Sequence, residues 1–271
     1  MSRREKRGER KRLEPDRSDT VPDRPARERI WYNSAAVSGE EKYLTVPALE
    51  RVPGLVHGFG TRALDLAALR RLAAANGCRV VMLAQIHSAD VVVAPFGPKA
   101  ARRQEGDALV TGRPGLLLVV RTADCLPAFL VDPEKRVAAA VHAGWRGTRS
   151  RILERSVEVL VSRFGCRPAD LLAALGPCIG PACYEVGDDV RREFVSAGLP
   201  RSGFRPSPRR PGAFLLDLAA ANRRQLTGRG VPSRRIFSSA SCTHCDARLL
   251  SFRRDRDARA RLYNFIGFRS A

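Results

Sequence analysis

One cysteine and one histidine, Cys125 and His142, stand in the largely apolar stretch RTADCLPAFLVDPEKRVAAAVHAGWRGT, residues 121–148. A thiolate and an imidazole that lie close together can serve as a nucleophile and its base, or as two ligands of one metal ion. Either chemistry requires that the fold bring the two side chains onto one surface.

A β-hairpin would do this. The apolar segments LPAFLV and VAAAVH flank DPEKR, and Asp-Pro is typical of a turn. A four-residue loop at 132–135 would pair Val131 with Arg136. The same register sets Cys125 directly across from His142, with Cβ atoms about 5 Å apart.

His87, in AQIHSAD, is a third candidate ligand, because it lies in a polar interruption between two apolar segments. Two histidines and a cysteine would give a zinc ion three protein ligands. The fourth position would then be open to water, which is typical of catalytic zinc. The alternative is that Cys125 is a small core residue and the histidines are only hydrogen-bonded.

The elements around these residues predict an α+β fold of mixed β-sheets with flanking helices, because strands and helices do not alternate strictly. Helices are predicted at 65–78, 150–165, 213–230 and from about Asp188. Strands are predicted at 55–62, in 79–94 as a pair, in 106–124, at the start of 235–255 before a loop, and at 261–268.

Residues 1–29 are highly charged and poor in apolar groups, which predicts a disordered tail followed by a single domain over 30–271. No stretch approaches the roughly 20 apolar residues of a membrane span, and no secretory signal is visible. We therefore expect a soluble cytoplasmic protein. Its seven cysteines are expected to be mostly reduced.

The net charge is +20, and arginine outnumbers lysine 43 to 5. Such a charge attracts nucleic acid or small anions. Only 6% of the residues are aromatic and no nucleic-acid-binding motif is recognisable. A basic surface that accepts anionic small molecules is therefore favoured over nucleic-acid binding.

Seven motifs follow one another along the chain: QIHSADVV, GDALVT, TADCLPAFLVDP, AAVHAGWRGT, LGPCIGPACYEVG, LDLAAANRRQL and SCTHCDARLLSFRRD. Over about residues 55–268 they resemble the laccase-domain family of the YfiH type, once called multicopper polyphenol oxidases and now described as purine nucleoside phosphorylases. The resemblance implies a zinc ion bound by His87, Cys125 and His142. It also implies phosphorolysis of adenosine, inosine, guanosine and 5'-methylthioadenosine, with adenosine deamination as a second activity.

Two segments depart from the family pattern. After FGTR the family usually carries a Gly-Gly-Val-Ser segment and a longer loop, whereas here Arg62 runs almost directly into a helix. This difference is expected to affect phosphate binding or substrate range. Near the end, ARARLYNFIGF replaces a more usual Gly-Arg pair, with Arg261 at the position of the arginine.

Zinc lowers the pKa of bound water toward 7, so deamination needs a nearby group that moves a proton. Asp107, in GDALVT, and Asp124, beside Cys125, are the candidates, and with Cys125 they form the predicted catalytic set. The alternatives are that Asp107 caps a turn and that Asp124 makes a strand-end hydrogen bond.

The planar guanidinium group of arginine can donate two hydrogen bonds to one phosphate. Arg62 and Arg146 are the predicted phosphate ligands, and Gln85 is a further candidate for contact with substrate or phosphate. The Gly- and Pro-rich loop at 176–187 could bring backbone amides to a ligand or be an ordinary connection.

Four more cysteines could in principle bind zinc as two pairs, Cys178 with Cys183 and Cys242 with Cys245, but a five-residue gap is unusual for one half of such a site. CTHC alone could be redox-active, although the expected strand and helix around it are missing. His57 and His244 are expected to be structural or to line a pocket.

Three other functions compete with the zinc enzyme, whose partners would be purine nucleosides and phosphate. A metal-free Cys125–His142 pair would make a hydrolase or amidase, and the family resemblance implies that such an enzyme would edit peptidoglycan precursors. An inactive binding protein is the second alternative. A copper polyphenol oxidase is rejected, because four histidines are too few for several copper sites. The sequence is compatible with a monomer and with a homodimer.

Overall fold

The computed structural model describes residues 29–31, 41–94 and 104–270 of the chain. The tail predicted at 1–29 lies outside the described residues except for Arg29. No helix within the described ranges is long and apolar enough to cross a bilayer.

The described residues form fifteen β-strands and seven α-helices, so the prediction of an α+β fold is confirmed. In chain order the strands are β1 (Arg29–Trp31), β2 (Tyr43–Leu44), β3 (Leu55–Gly60), β4 (Arg79–Met82), β5 (Val91–Val93), β6 (Ala108–Thr111), β7 (Leu116–Thr122), β8 (Leu126–Asp132), β9 (Val137–Ala143), β10 (Leu172–Leu175), β11 (Glu185–Val186), β12 (Phe204–Pro206), β13 (Phe214–Leu216), β14 (Ile236–Ser239) and β15 (Leu262–Phe268). The helices are α1 (Pro47–Glu50), α2 (Leu66–Ala75), α3 (Trp145–Arg149), α4 (Ile152–Phe164), α5 (Asp188–Ser196), α6 (Leu218–Gly228) and α7 (Phe252–Asp255).

The strands form three sheets. A seven-stranded mixed sheet has the order β1-β14-β10-β8-β9-β6-β5, and a five-stranded mixed sheet has the order β2-β3-β15-β7-β4. A small antiparallel sheet has the order β11-β13-β12. Helix α4 packs on the outer face of the seven-stranded sheet beside α6, and the five-stranded sheet packs on its inner face, with α2 beyond.

Strands β8 and β9 are buried on both faces, which explains their nearly continuous apolar sequence. Along β8, Leu126, Ala128 and Leu130 belong to the core on the helix side. Phe129 and Val131 alternate with them and belong to the core between the two large sheets. Residues at the ends of these two strands are therefore held by packing on both sides.

The helices predicted at 65–78 and 150–165 are confirmed as α2 and α4. The side chain of Asp65 caps α2 by accepting a hydrogen bond from the backbone N–H of Ala68 at 2.6 Å. Helix α4 ends at Gly165, which has a φ of 64°. Two boundaries were wrong: β13 occupies the start of the helix predicted at 213–230, and α7 lies in the predicted loop of 235–255.

The predicted hairpin forms, but its register was wrong by two residues. His142 pairs with Pro127 rather than with Cys125, and Asp132 pairs with Val137. Asp132 belongs to the strand because its carboxylate accepts the backbone N–H of Lys135 at 3.0 Å and closes the turn after it. Side chains alternate between faces, so a shift of two residues leaves Cys125 on the same face as His142, as a diagonal neighbour.

Candidate functional site

Three ligand-type side chains meet at the open end of the β8–β9 hairpin. The ligand atoms of His87, Cys125 and His142, hereafter the cavity cluster, all lie within 4.8 Å of one another. His142 is 3% exposed near the end of β9, while Cys125 precedes β8. His87 lies in the loop between β4 and β5 with a φ of 61°, a left-handed conformation that is uncommon for a side-chain-bearing residue.

The buried carboxylate of Asp107 holds two of these residues in place. One oxygen lies 2.7 Å from Nδ1 of His142. The same carboxylate accepts the backbone N–H groups of Ile86, His87 and Ser88, at 3.2, 3.1 and 2.6 Å. Asp107 therefore orients the ring of His142 and holds the loop that carries His87. Its hydrogen bond to Nδ1 leaves Nε2 of His142 free for Cys125 or a metal ion.

Gly144 makes room for the sulfur. A Cβ atom at this position would lie 2.9 Å from Sγ of Cys125 and 3.4 Å from Cδ2 of His87. Any larger residue would therefore push into the cluster. The glycine in HAGWRG is explained by this close approach and not by an unusual backbone angle, because its φ is −72°.

The electrostatics of the cluster favour a thiolate. Burial alone would raise the pKa of Cys125, but the charge of His142 and hydrogen bonds from His142 and His87 outweigh it and lower the pKa to about 6. Burial alone would lower the pKa of His142. The charge of Cys125 and the hydrogen bond to Asp107 instead raise it to about 9.

Asp124 connects the cluster to the far part of the chain. Its φ is 84°, and its two carboxylate oxygens accept hydrogen bonds from the hydroxyl of Thr243 and the backbone N–H of Arg253, each at 2.6 Å. Its backbone carbonyl accepts the N–H of Ile179 at 3.0 Å. Asp124 therefore lies where three segments join, directly before Cys125.

The cluster opens into a cavity of about 730 Å³, within the range typical of small-molecule sites. Its walls include the aromatic side chains of Trp145, Tyr184 and Phe252. Its cationic residues are Arg121, Arg146, Arg253, Arg256, Arg259 and Arg261. Among the described residues that line the cavity Asp124 is the only acidic one, so the site strongly favours an anion.

The structure brings most of the predicted site residues together. Arg146 lines the cavity and stacks on Trp145, with 4.5 Å from its guanidinium carbon to the ring centre. Gln85 also lines it, but both ends of its amide are hydrogen-bonded at 2.8 Å to the backbone of Arg121. It anchors the loop that carries His87 more than it offers a free group to a ligand.

Arg62 is the exception. It is exposed, does not line the cavity, and donates its backbone N–H to the carbonyl of Arg248 at 2.8 Å. The structure therefore does not place Arg62 in the cavity lining, and the sequence does not show how the turn after β3 is oriented relative to β8 and β9.

Arg121, Tyr184 and Arg253 line the cavity but were not among the predicted site residues. Arg121 lies in β7, four residues before Cys125, and its buried Nε has no hydrogen-bond partner among the described residues. Tyr184 and Arg253 are far from the cluster in the chain, and the guanidinium carbon of Arg253 lies 5.6 Å from the ring centre of Tyr184. The sequence signal for these two was their place in the motifs LGPCIGPACYEVG and SCTHCDARLLSFRRD.

Residues 64–269 match the sequence profile of the family described as multi-copper polyphenol oxidoreductase laccase. The chain is 44% identical over 200 residues, 73% of its length and 74% of the relative, to a purine nucleoside phosphorylase of Deinococcus radiodurans. It is 37% identical over 174 residues, 62% of its length and 66% of the relative, to adenosine deaminase RL5 of an unknown prokaryotic organism. The crystal structure of YlmD from Geobacillus stearothermophilus covers 81% of this chain and 93% of its own, with a TM-score of 0.72 and 34% identity.

Proposed function

Since the chain belongs to the multi-copper polyphenol oxidoreductase laccase family, we propose that it is a zinc-dependent purine nucleoside phosphorylase with adenosine deamination as a second activity. Its substrates would be adenosine, inosine, guanosine and 5'-methylthioadenosine. Two relatives, one named purine nucleoside phosphorylase and one named adenosine deaminase, support both activities. The observation that carries the proposal is the cavity cluster at the base of an arginine-lined cavity.

The donor set fits zinc. Two imidazoles and one thiolate are common zinc ligands, and three protein ligands are typical of a catalytic site. The carboxylate of Asp107 behind His142 fixes the tautomer that presents Nε2, as second carboxylates do in many zinc sites. A bound zinc ion would act as a Lewis acid and lower the pKa of a coordinated water.

The arginines supply the other requirement of phosphorolysis, which is a bound and oriented phosphate. In this reaction an oxygen of phosphate bonds to C1' of the ribose, the bond from C1' to N9 breaks, and the departing base gains a proton. Arg146 and Arg121 lie near the cluster and carry charge into the cavity. We assign them to phosphate binding in place of Arg62.

Trp145 and Tyr184 offer the aromatic surface that a purine base needs. Asp107 and Asp124 are assigned as positioning residues. The carboxylate oxygens of both are occupied by hydrogen bonds within the protein, and Asp107 is fully buried outside the cavity lining. The proton step of deamination is then left to a group other than these two carboxylates.

A metal-free cysteine hydrolase is the second candidate, and the lowered pKa of Cys125 favours it. Its thiolate and the imidazole of His142 would act as nucleophile and base. Metal content separates the two hypotheses: activity that survives complete chelation, with zinc absent from the protein, would support the hydrolase.

The proposal is tested by incubating zinc-loaded protein with adenosine, with and without phosphate, and separating the products. Adenine and ribose 1-phosphate are expected only when phosphate is present, and inosine is expected in both samples. A zinc-loaded protein that forms neither product rejects the proposal. A sample that forms inosine but neither adenine nor hypoxanthine in the presence of phosphate rejects phosphorolysis alone.

A further inference from the structure

A second group of metal-ligand side chains lies outside the cavity lining. The ligand atoms of Cys183, His244 and Cys245 all lie within 4.8 Å of one another. The sulfurs of Cys183 and Cys245 are 3.4 Å apart, although the residues are separated by 62 positions in the sequence. Two loops, one after β10 and one after β14, therefore meet at this group.

Cys242 adds a third sulfur. It begins the turn that ends at Cys245, and its Sγ accepts the backbone N–H of Gly180, three residues before Cys183, at 3.1 Å. The group within 4.8 Å contains only Cys183, His244 and Cys245, so Cys242 would turn toward it as the fourth donor. We call these four residues, Cys183, Cys242, His244 and Cys245, the cysteine cluster. Three sulfurs and one imidazole are a complete set of donors for a tetrahedral zinc ion.

In the turn CTHC, residues 242–245, both the carbonyl and the sulfur of Cys242 accept backbone hydrogen bonds. The carbonyl of Cys242 accepts the backbone N–H groups of Cys245 and Asp246 at 3.1 and 2.9 Å. Its Sγ accepts the N–H of Gly180 at 3.1 Å, which joins this turn to the loop that carries Cys183.

Cys178 does not belong to the cluster. Its backbone pairs with that of Cys242 in an isolated bridge, and its thiol is buried among groups that raise its pKa. The four-cysteine arrangement considered from the sequence is therefore replaced by three cysteines and His244. Spacing could not show this, because the members come from two loops that meet only in the fold.

We propose that Cys183, Cys242, His244 and Cys245 bind a second, structural zinc ion. Four protein donors would close its coordination sphere and leave no position for a substrate. A disulfide between Cys183 and Cys245 would use two of the donors only. It would leave the imidazole of His244 and the sulfur of Cys242 beside it without a common partner.

This zinc ion would fix one wall of the cavity. Thr243, within the CTHC turn, donates its hydroxyl to Asp124 at 2.6 Å and its backbone N–H to the carbonyl of Cys178 at 3.0 Å. Tyr184, a cavity residue, directly follows Cys183. Joining the two loops through a metal ion therefore holds Asp124 and Tyr184 beside Cys125.

Metal analysis of the full chain, purified under reducing conditions and saturated with zinc, tests the proposal. The unchanged protein is expected to retain about two zinc ions per chain after excess metal is removed. Cys183→Ser and Cys245→Ser should each lose one of them and unfold at a lower temperature. Cys125→Ser should lose the other one, whether or not the protein proves to be a phosphorylase.

Cys78→Ser is the matched control, because Cys78 lies in neither cluster and its thiol makes only hydrogen bonds to backbone carbonyls. It should retain both zinc ions. Cobalt in place of zinc gives an independent measurement, since three thiolates should produce strong sulfur-to-cobalt charge-transfer absorption that Cys245→Ser reduces and Cys125→Ser largely preserves.

Two results would overturn the proposal. One is a zinc content that Cys183→Ser and Cys245→Ser leave unchanged, measured on variants whose circular dichroism shows a normal fold. The other is a Cys183–Cys245 disulfide in place of the second zinc ion, detected by mass spectrometry of protein kept under reducing conditions throughout.

Discussion

The cavity cluster and the cysteine cluster use the same two kinds of ligand in different surroundings. In the cavity cluster a buried carboxylate supports His142, and the lowered pKa of Cys125 depends on the neighbouring histidines. In the cysteine cluster the backbone N–H of Gly180 donates to Sγ of Cys242, and Cys245 is exposed to solvent. The first arrangement provides three donors beside an open cavity, and the second provides four donors, three from the CTHC turn and Cys183 from another loop.

The difference indicates that ligand type alone does not separate a reactive site from a structural one. What separates them is the number of donors and the space left beside them. We therefore expect substitutions in the cavity cluster to act mainly on turnover, and substitutions in the cysteine cluster to act mainly on stability.

The largest contrast is expected between Cys125→Ser and Cys245→Ser. The first should reduce kcat for phosphorolysis by at least about a hundredfold, because it removes a ligand of the reactive metal. The second should retain most of kcat while lowering the Tm. Steady-state rates and thermal unfolding of both variants measure the contrast, and equal losses of activity in the two would contradict it.

Asp107→Asn should have the next largest effect. The substitution removes the charge beside His142 and directs an NH₂ group toward backbone N–H donors that the carboxylate now accepts. Zinc affinity of the cavity site should fall about 10- to 100-fold, measured by competition with a chelator. Asp90→Asn, an exposed aspartate that follows the same loop, is the control and should change little.

Gly144→Ala tests the cavity cluster without altering a ligand. Its new Cβ would stand 2.9 Å from Sγ of Cys125, so the sulfur or α3 must shift. We expect the unfolding free energy to fall by about 1–3 kcal/mol and zinc binding to weaken. Gly228→Ala, where no heavy atom lies within 4 Å, should be close to neutral. Equal behaviour of the two variants would show that the site adapts easily.

These residues also show what the sequence could predict. Cys125 and His142 lie on one face of the hairpin, as expected. Side chains alternate between the two faces, so a shift of two residues in the register leaves each side chain on the same face. The sequence did not show that Asp132 still belongs to the strand. In the structure the hydrogen bond from the backbone N–H of Lys135 to the carboxylate of Asp132 closes the turn after this residue. The local sequence pattern therefore predicted correctly that Cys125 and His142 lie close together, and it predicted the strand register wrongly.

The walls of the cavity could not be derived in this way. Arg121 lies in β7 and Tyr184 lies in the loop between β10 and β11. Both reach the cavity because separate parts of the chain pack together, and neither segment's own sequence indicates that packing. For the same reason Arg62, a plausible phosphate ligand by motif, lies outside the lining. With 43 arginines in the chain, residue type gives little information about which of them face a ligand.

Arg146→Gln tests the charge of the cavity. The KM for phosphate should rise about tenfold, because a guanidinium that can form two hydrogen bonds to an anion is lost. Deamination of adenosine, which uses no phosphate, should change much less. Arg149→Gln is the matched control: it lies on the same short helix, pairs with Glu193 and does not line the cavity. A rise in KM for both variants would mean that general surface charge, and not the site, attracts phosphate.

The last contrast concerns the pH dependence of stability at His57, a buried histidine outside both clusters, whose surroundings differ from those of His142. Its Nε2 accepts the backbone N–H of Val46 at 2.9 Å, and burial lowers its pKa to about 4 despite the opposing charge of Glu50. The folded chain therefore holds this ring neutral, whereas the unfolded chain protonates it below about pH 6.5. Its stabilising contribution is complete above pH 6.5 and is lost as the pH falls toward 4, by up to about 3 kcal/mol. Urea unfolding between pH 7 and pH 4.5 should show that His57→Gln removes this part of the pH dependence. Parallel curves for the two proteins would mean that the buried ring accepts a proton in the folded state as easily as in the unfolded chain.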